Sequence, residues 1–171
     1  CVEHILRLVQ RTETAVENRN DVLAEHHALA RRAAEECLVL LKNEGHISPL
    51  KKTGTLAVLG ALAEHPRYQG GGSSHVASWR VDNTLEYLRE LAGGEVRYAP
   101  GYDLEDGERI SEEYLAPARR LAAEADHVLV FVGLTEQYET EGADRRDMKL
   151  PAAHDELVRQ TLDVRPDAVV V

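Results

Sequence analysis

The sequence predicts an α/β fold, a three-layer α/β/α sandwich on a mainly parallel sheet. Three observations carry that expectation. Short apolar runs, TLAVLG (55–60), EVRYA (95–99), DHVLVFVGL (126–134) and AVVV (168–171), alternate with segments whose apolar residues recur at helical spacing. The runs are rich in Val and Leu with little polar alternation, as in strands covered on both faces. Capping residues and glycines stand where the intervening helices should begin and end.

Taken in order, VEHILRLV (2–9) places Val2, Ile5, Leu6 and Val9 on one helical face. QRTETAVENRN (10–20) is polar and aperiodic and reads as a linker. A second helix is expected from Asp21 or Ala28 to Lys42, with Leu29, Ala33, Cys37 and Leu40–Leu41 inward and Asn43-Glu44-Gly45 as its stop. On that face Cys37 is expected to be a small core residue. After the 55–60 strand, Asp82 or Asn83 caps a helix carrying Leu85, Leu88 and Leu91, which Gly93-Gly94 ends. Ser111 caps a helix that turns Tyr114, Ala118, Leu121 and Ala125 inward, and a last helix runs from about His154 to Leu162.

The chain has 171 residues, a formal charge of −10 and 43 % hydrophobic residues. That length suits one domain, which would bury roughly two-thirds of its unfolded surface. The acidic balance argues against nucleic-acid or anionic-membrane partners, which it would repel. No apolar run approaches the ~20 residues that span a bilayer. Glu3, His4 and Arg7 interrupt any signal-peptide core, so a cytoplasmic location is expected. The two cysteines make no disulfide framework. His26 and His27 are adjacent instead of one helical turn apart, so no metal site and no cofactor are expected. The chain stops inside the apolar AVVV run, and the first helix carries its own apolar stripe. Both suggest a piece of a longer polypeptide, with residues 1–20 closing an upstream domain and 21–171 forming a sandwich truncated at its C-terminus.

In open parallel sheets, ligands bind beyond the carboxyl ends of the strands. Two long loops start there: Ala61 to Trp79, containing YQGGGSSH (68–75), and Thr135 to Asp147. A doubly wound sheet would open both on one edge. The glycine run is not a phosphate loop, since no Gly-Lys-Ser/Thr or G-x-G-x-x-G is present. Its glycines allow close backbone approach, and Ser73 and Ser74 add hydroxyls. The second loop gathers Glu136, Glu139, Glu141, Asp144 and Asp147 against Arg145 and Arg146. Crowded carboxylates raise the pKa of the most buried member, and a protonated carboxyl near neutral pH can protonate a glycosidic oxygen. An exposed acidic loop with local Asp–Arg pairing is the plainer reading. Trp79 and Tyr68 either stack on a sugar or pack.

Several separated segments resemble one family. ARRAAEECLVLLKNEGHISPLKK (30–52), TLAVLG (55–60), YQGGGSS (68–74) and HVLVFVGLTEQYETEGADRRDMKLP (127–151) resemble, in order, the second domain of family 3 glycoside hydrolases. Glu36 stands where the family pattern has serine. The resemblance implies a retaining, exo-acting β-glycosidase, most often a β-glucosidase. In such enzymes a (β/α)8-like barrel supplies the aspartate nucleophile and the sandwich supplies the general acid/base. By position Glu141 is that acid/base, with Glu139 the runner-up. Asp144 and Arg145 would hold the loop or contact sugar hydroxyls, and Gly71, Gly72, Ser73 and Ser74 would form the facing wall. The implied partners are a carbohydrate substrate and the N-terminal barrel of the same polypeptide. Two other readings stay open: a receiver-like module binding Mg²⁺ through its acidic loop, and a structural domain that only braces a barrel.

Overall fold

A computed structural model describes residues 2–12 and 19–171. The chain divides into two compact units, Cys1–Lys42 and Asn43–Val171. The first holds α1 (Val2–Thr12) and α2 (Arg19–Cys37). The 10–20 linker reading falls partly on α1 and α2 and partly on 13–18, outside the described residues.

Two expectations for α2 are corrected. It ends at Cys37 instead of Lys42, and Cys37 is exposed instead of buried. Four successive apolar residues, Leu38 to Leu41, fit no single helical stripe, and the chain leaves the helix there. None of the described side chains of this unit is buried.

The second unit opens with a turn that Asn43 closes on itself. Its side-chain amide donates to the Ser48 carbonyl at 2.8 Å, and its Oδ1 accepts from the Ser48 amide at 2.9 Å. Then come β1 (Leu56–Leu59), α3 (Thr84–Leu91), β2 (Val96–Ala99), α4 (Glu112–Glu124), β3 (His127–Val130), α5 (Ala152–Val164) and β4 (Val169–Val170). The sheet is wholly parallel, in the order β2-β1-β3-β4. Asn83 caps α3 by accepting from the Glu86 amide, worth about 1 kcal/mol, and Ser111 caps α4. Pro117 lies inside α4 but on its exposed side, with Glu113, whose carbonyl it leaves unpaired, also facing solvent.

Strand alternation divides the core into two layers. Ala57, Leu59, Ala99, Val128 and Val130 face α4 and α5, packing on Leu115, Ala118, Ala122, Ala153 and Leu157. Val58 faces the other way, onto Leu85 and Leu88 of α3. Helices therefore cover both faces, as the sequence predicts. From β1 the chain moves one way to β2 and then back across to β3. Right-handed crossovers in opposite directions place their helices on opposite faces, which is the observed arrangement. The gap between β1 and β3 is the topological switch point.

β3 is shorter than the 126–134 run predicts. Its ladder with β1 stops because β1 turns away at Gly60, where φ is +107°. A Cβ on Gly60 would lie 2.0 Å from the Phe131 carbonyl oxygen. Beneath this point Tyr102 is fully buried, accepting from the Leu62 amide at 3.2 Å and donating to the Phe131 carbonyl at 2.9 Å. Its ring stacks on His154 of α5 at 3.6 Å, and His154 Nδ1 accepts from the Gly133 amide. One aromatic pair thus joins the roots of the loops after β1, β2 and β3.

Two consequences are measurable. Gly60→Ala should cost more than about 2 kcal/mol in urea unfolding, because the carbonyl it strikes belongs to the neighbouring strand. Burial lowers the His154 pKa from 6.5 to about 4, against the weaker opposing pull of Asp155 and Glu108. The unfolded chain takes up this proton as pH falls through 6.5, and the folded protein only near 4. Stability should therefore drop by on the order of 2 kcal/mol across that window. His154→Gln should flatten that part of the pH–stability curve.

Candidate active site

The loops after β1 and β3 leave the switch point together and stay in contact. The Gly71 amide donates to the Glu139 carbonyl at 3.1 Å, and Gly71 bridges Thr140 in parallel. Contact this close requires glycine, since a Cβ on Gly71 would lie 2.9 Å from Thr140 Oγ1. Gly72 follows with φ of +79° and starts the short 3₁₀ turn Gly72–Ser74.

The glycine-serine loop is closed on itself. Gln69 Oε1 accepts from the Val76 amide at 3.0 Å, and Ser74 Oγ donates to the Gly70 carbonyl at 2.9 Å. The Tyr68 hydroxyl accepts from Ser78 and Gln69 side chains, while its ring and that of Trp79 stay about half exposed.

Glu141 stands at a corner. Residues 140–143 form a β-turn in which the Ala143 amide donates to the Thr140 carbonyl. Gly142, in the third position, has φ of +84°, a conformation that favours glycine there. Glu141 is the second residue, so its side chain projects from the bend into solvent. The Ser73 hydroxyl donates to Glu141 Oε2 across the loops. The structure thus brings Gly71, Gly72, Ser73 and Glu141 together. Ser74 is spent on the loop's own backbone.

Glu139 points elsewhere. Its carboxylate pairs with Arg67 at 2.7 Å, and Glu136 pairs with His75 at 3.0 Å. The predicted carboxylate crowd is therefore dispersed: the acids are exposed, and several are engaged by partners from other segments. Burial of one acid among its like charges is not observed. Asp144 and Arg145 line a separate cleft of about 700 Å³ with Glu156 and Arg159, and Arg145 bonds the Lys149 carbonyl within its own loop. In that cleft, hydrogen bonds from Arg159 and Gln160 hold Glu156 down at about 2.

Sequence reasoning missed three contacts. Arg67 is one, a lone base in Pro-Arg-Tyr-Gln-Gly just before the glycines. Tyr138 is another: its hydroxyl donates to Glu108, and burial and that carboxylate push its pKa up to about 12. Gln137, bonding the Glu105 carbonyl, is the third. These last two tie the acidic loop to the loop after β2. No periodicity or motif marks such pairs, because they join residues about thirty positions apart. A cleft of about 610 Å³ opens where the three loops meet, with Leu62, Arg67, Leu104, Thr135 and Gln137 in its lining. Glu141 lines neither cleft. Among the described residues no three His, Cys, Asp or Glu side chains converge as metal ligands, and no helix is long and apolar enough to cross a membrane.

Comparison with known proteins places this geometry. The chain is 42 % identical to thermostable beta-glucosidase B of Acetivibrio thermocellus over 174 residues, covering all of this chain and 23 % of that protein. It is 36 % identical to an exo-alpha-(1->6)-L-arabinopyranosidase of Bifidobacterium longum, covering 98 % of this chain and 23 % of the relative. The chain thus spans about a quarter of the length of these curated relatives. Among solved structures, the GH3 beta-glucosidase of Bifidobacterium adolescentis superposes with a TM-score of 0.81 at 34 % identity, over 96 % of this chain and 24 % of that one. A beta-glucosidase of Kluyveromyces marxianus shares the fold at 18 % identity, with a TM-score of 0.77 over 95 % of this chain and 39 % of that one. Residues 38–171 match the glycosyl hydrolase family 3 C-terminal domain, and the chain belongs to that family.

Proposed function

We propose that this chain is the second domain of a retaining, exo-acting β-glycosidase of the β-glucosidase type, and that Glu141 is its general acid/base. The supporting observation is the placement of Glu141: a carboxylate on a pinned turn corner, touched by Ser73 and open to solvent. An acid placed there can serve a substrate held between this surface and a second domain. In the first step Glu141 gives its proton to the glycosidic oxygen as the bond to the anomeric carbon breaks. A carboxylate on the missing side takes that carbon. In the second step Glu141 accepts a proton from the water that displaces the carboxylate.

Retention requires the two carboxyl groups to be about 5–5.5 Å apart. The nucleophile is assigned to an N-terminal (β/α)8-like barrel of the same polypeptide, so the 171 residues alone should be inactive. Relatives named for a β-glucosidase and for an arabinopyranosidase both align over almost the whole chain. In this reading the domain supplies proton transfer, and the sugar is chosen largely elsewhere. A bracing role is the second reading, favoured by the absence of Glu141 from both cleft linings.

In the enzyme that joins this chain to its barrel, Glu141→Ala should lower kcat on alkyl β-glucosides about 10²–10⁴-fold. Dinitrophenyl glucoside, whose leaving group needs no proton, should still form the glycosyl-enzyme. Azide needs no base and should then take the sugar, breaking the bond from the anomeric carbon to the carboxylate and forming a bond to nitrogen. Appearance of β-glucosyl azide supports the assignment. Undiminished activity of Glu141→Ala would favour the bracing role.

A further inference from the structure

We infer that Arg67 and Glu139 are positioning residues that set where the Glu141 carboxylate stands, an inference that rests on the acid/base reading of Glu141. Arg67 leaves the loop after β1 and crosses to the loop after β3. Its Nη1 donates to the Glu139 carboxylate at 2.7 Å and, more weakly, to the Leu134 carbonyl at 3.5 Å. One nitrogen therefore holds both ends of the segment 134–139, which leads from β3 to the turn. Only 20 % of the Arg67 side chain is exposed, and its Nε is buried without a hydrogen-bond partner among the described residues. Among the described residues the guanidinium makes its hydrogen bonds only in this crossing.

From Glu139 the path to Glu141 is short and rigid. The Glu139 carbonyl accepts from Gly71, and Thr140 bridges Gly71 and closes the turn through Ala143. Glu139 is thus fixed through both its carboxylate and its backbone, one residue before the turn that displays Glu141. The same contacts separate the two glutamates that the sequence left in competition: Glu139 faces an arginine, and Glu141 faces a hydroxyl and water. An ion pair open to solvent on its carboxylate side, with 46 % of the Glu139 side chain exposed, contributes only modestly to folding stability. Displacement of a reacting group by about 1 Å, in contrast, can cost ~10²-fold in rate. The pair should therefore register in proton donation and scarcely in folding.

The test uses the full enzyme and two substrates that differ in their need for an acid. Glu139→Gln and Arg67→Met should each lower kcat about 10- to 100-fold on an alkyl β-glucoside. On dinitrophenyl glucoside both should change kcat/KM, which reports the first step, by less than about threefold, while kcat falls as the base-assisted second step becomes limiting. The double variant should be no slower than either single one, because both remove one link. Arg67→Lys should recover part of the loss. If Arg67→Met does not fold, Glu139→Gln, which keeps the shape, and Arg67→Lys decide the matter. Azide should rescue Glu141→Ala and leave Glu139→Ala unchanged. Equal loss of kcat/KM on both substrates, or no loss on either, overturns the positioning role while Glu141 keeps its assignment. Azide rescue of Glu139→Ala makes Glu139 the proton donor and overturns the inference. Failure of azide to rescue Glu141→Ala removes the acid/base reading and the inference with it.

Discussion

The central pairing of β1 with β3 is the constraint on which the rest depends. These strands lie side by side although α3, β2 and α4 separate them in sequence. That pairing reverses the direction in which the sheet is laid down, and the reversal sends two loops from one edge. Gly60 then ends β1 against the Phe131 carbonyl, and Tyr102 with His154 fills the space beneath. Parallel pairing between distant segments is entropically costly to reach, so the loops inherit their meeting from the sheet instead of creating it.

Above that edge, the loop of twenty-one residues between β3 and α5 is held at many points along its first half. Glu136, Gln137, Tyr138 and Glu139 each meet a partner from a different loop. These contacts are individually weak, as exposed polar pairs are. Their value lies in number and direction: they approach from both flanks, and the Arg67–Glu139 pair is the one nearest the turn at 140–143. Acids that look interchangeable in sequence thereby acquire separate duties.

Much of this was legible in the sequence, for identifiable reasons. Strand–helix alternation gave the sheet and its two covered faces, and Asn83 and Ser111 gave helix starts because their side chains can cap. Glu141-Gly142 is legible as a turn, and the glycines at 70–72 as a place of close approach. What failed has a physical source. α2 was extended past Cys37 because Leu40 and Leu41 fall on its stripe, although Leu38 and Val39 between them do not. The 136–147 acids are exposed, as the plainer reading of the cluster had it, but their pairing is not local: Arg67 and His75, sixty to seventy positions upstream, draw individual carboxylates apart. Asp144 and Arg145, which the resemblance gives the task of holding the loop or contacting sugar hydroxyls, lie past the turn at Gly142 and line the cleft beside α5, where Arg145 bonds the Lys149 carbonyl.

The turn at 140–143 also bears on how such a domain changes over generations. Everything that fixes Glu141 lies at or before Ala143, in contacts with Gly71, Ser73 and Arg67. The stretch from Asp144 to Leu150 is exposed along nearly all its length and bonds largely within itself. The hydrogen bonds of that stretch close within it and do not reach the carboxylate at the corner. One loop thus contains a conserved-geometry half and a tolerant half, hinged at a glycine, so new surface chemistry can be tried beside the carboxylate without re-evolving its placement.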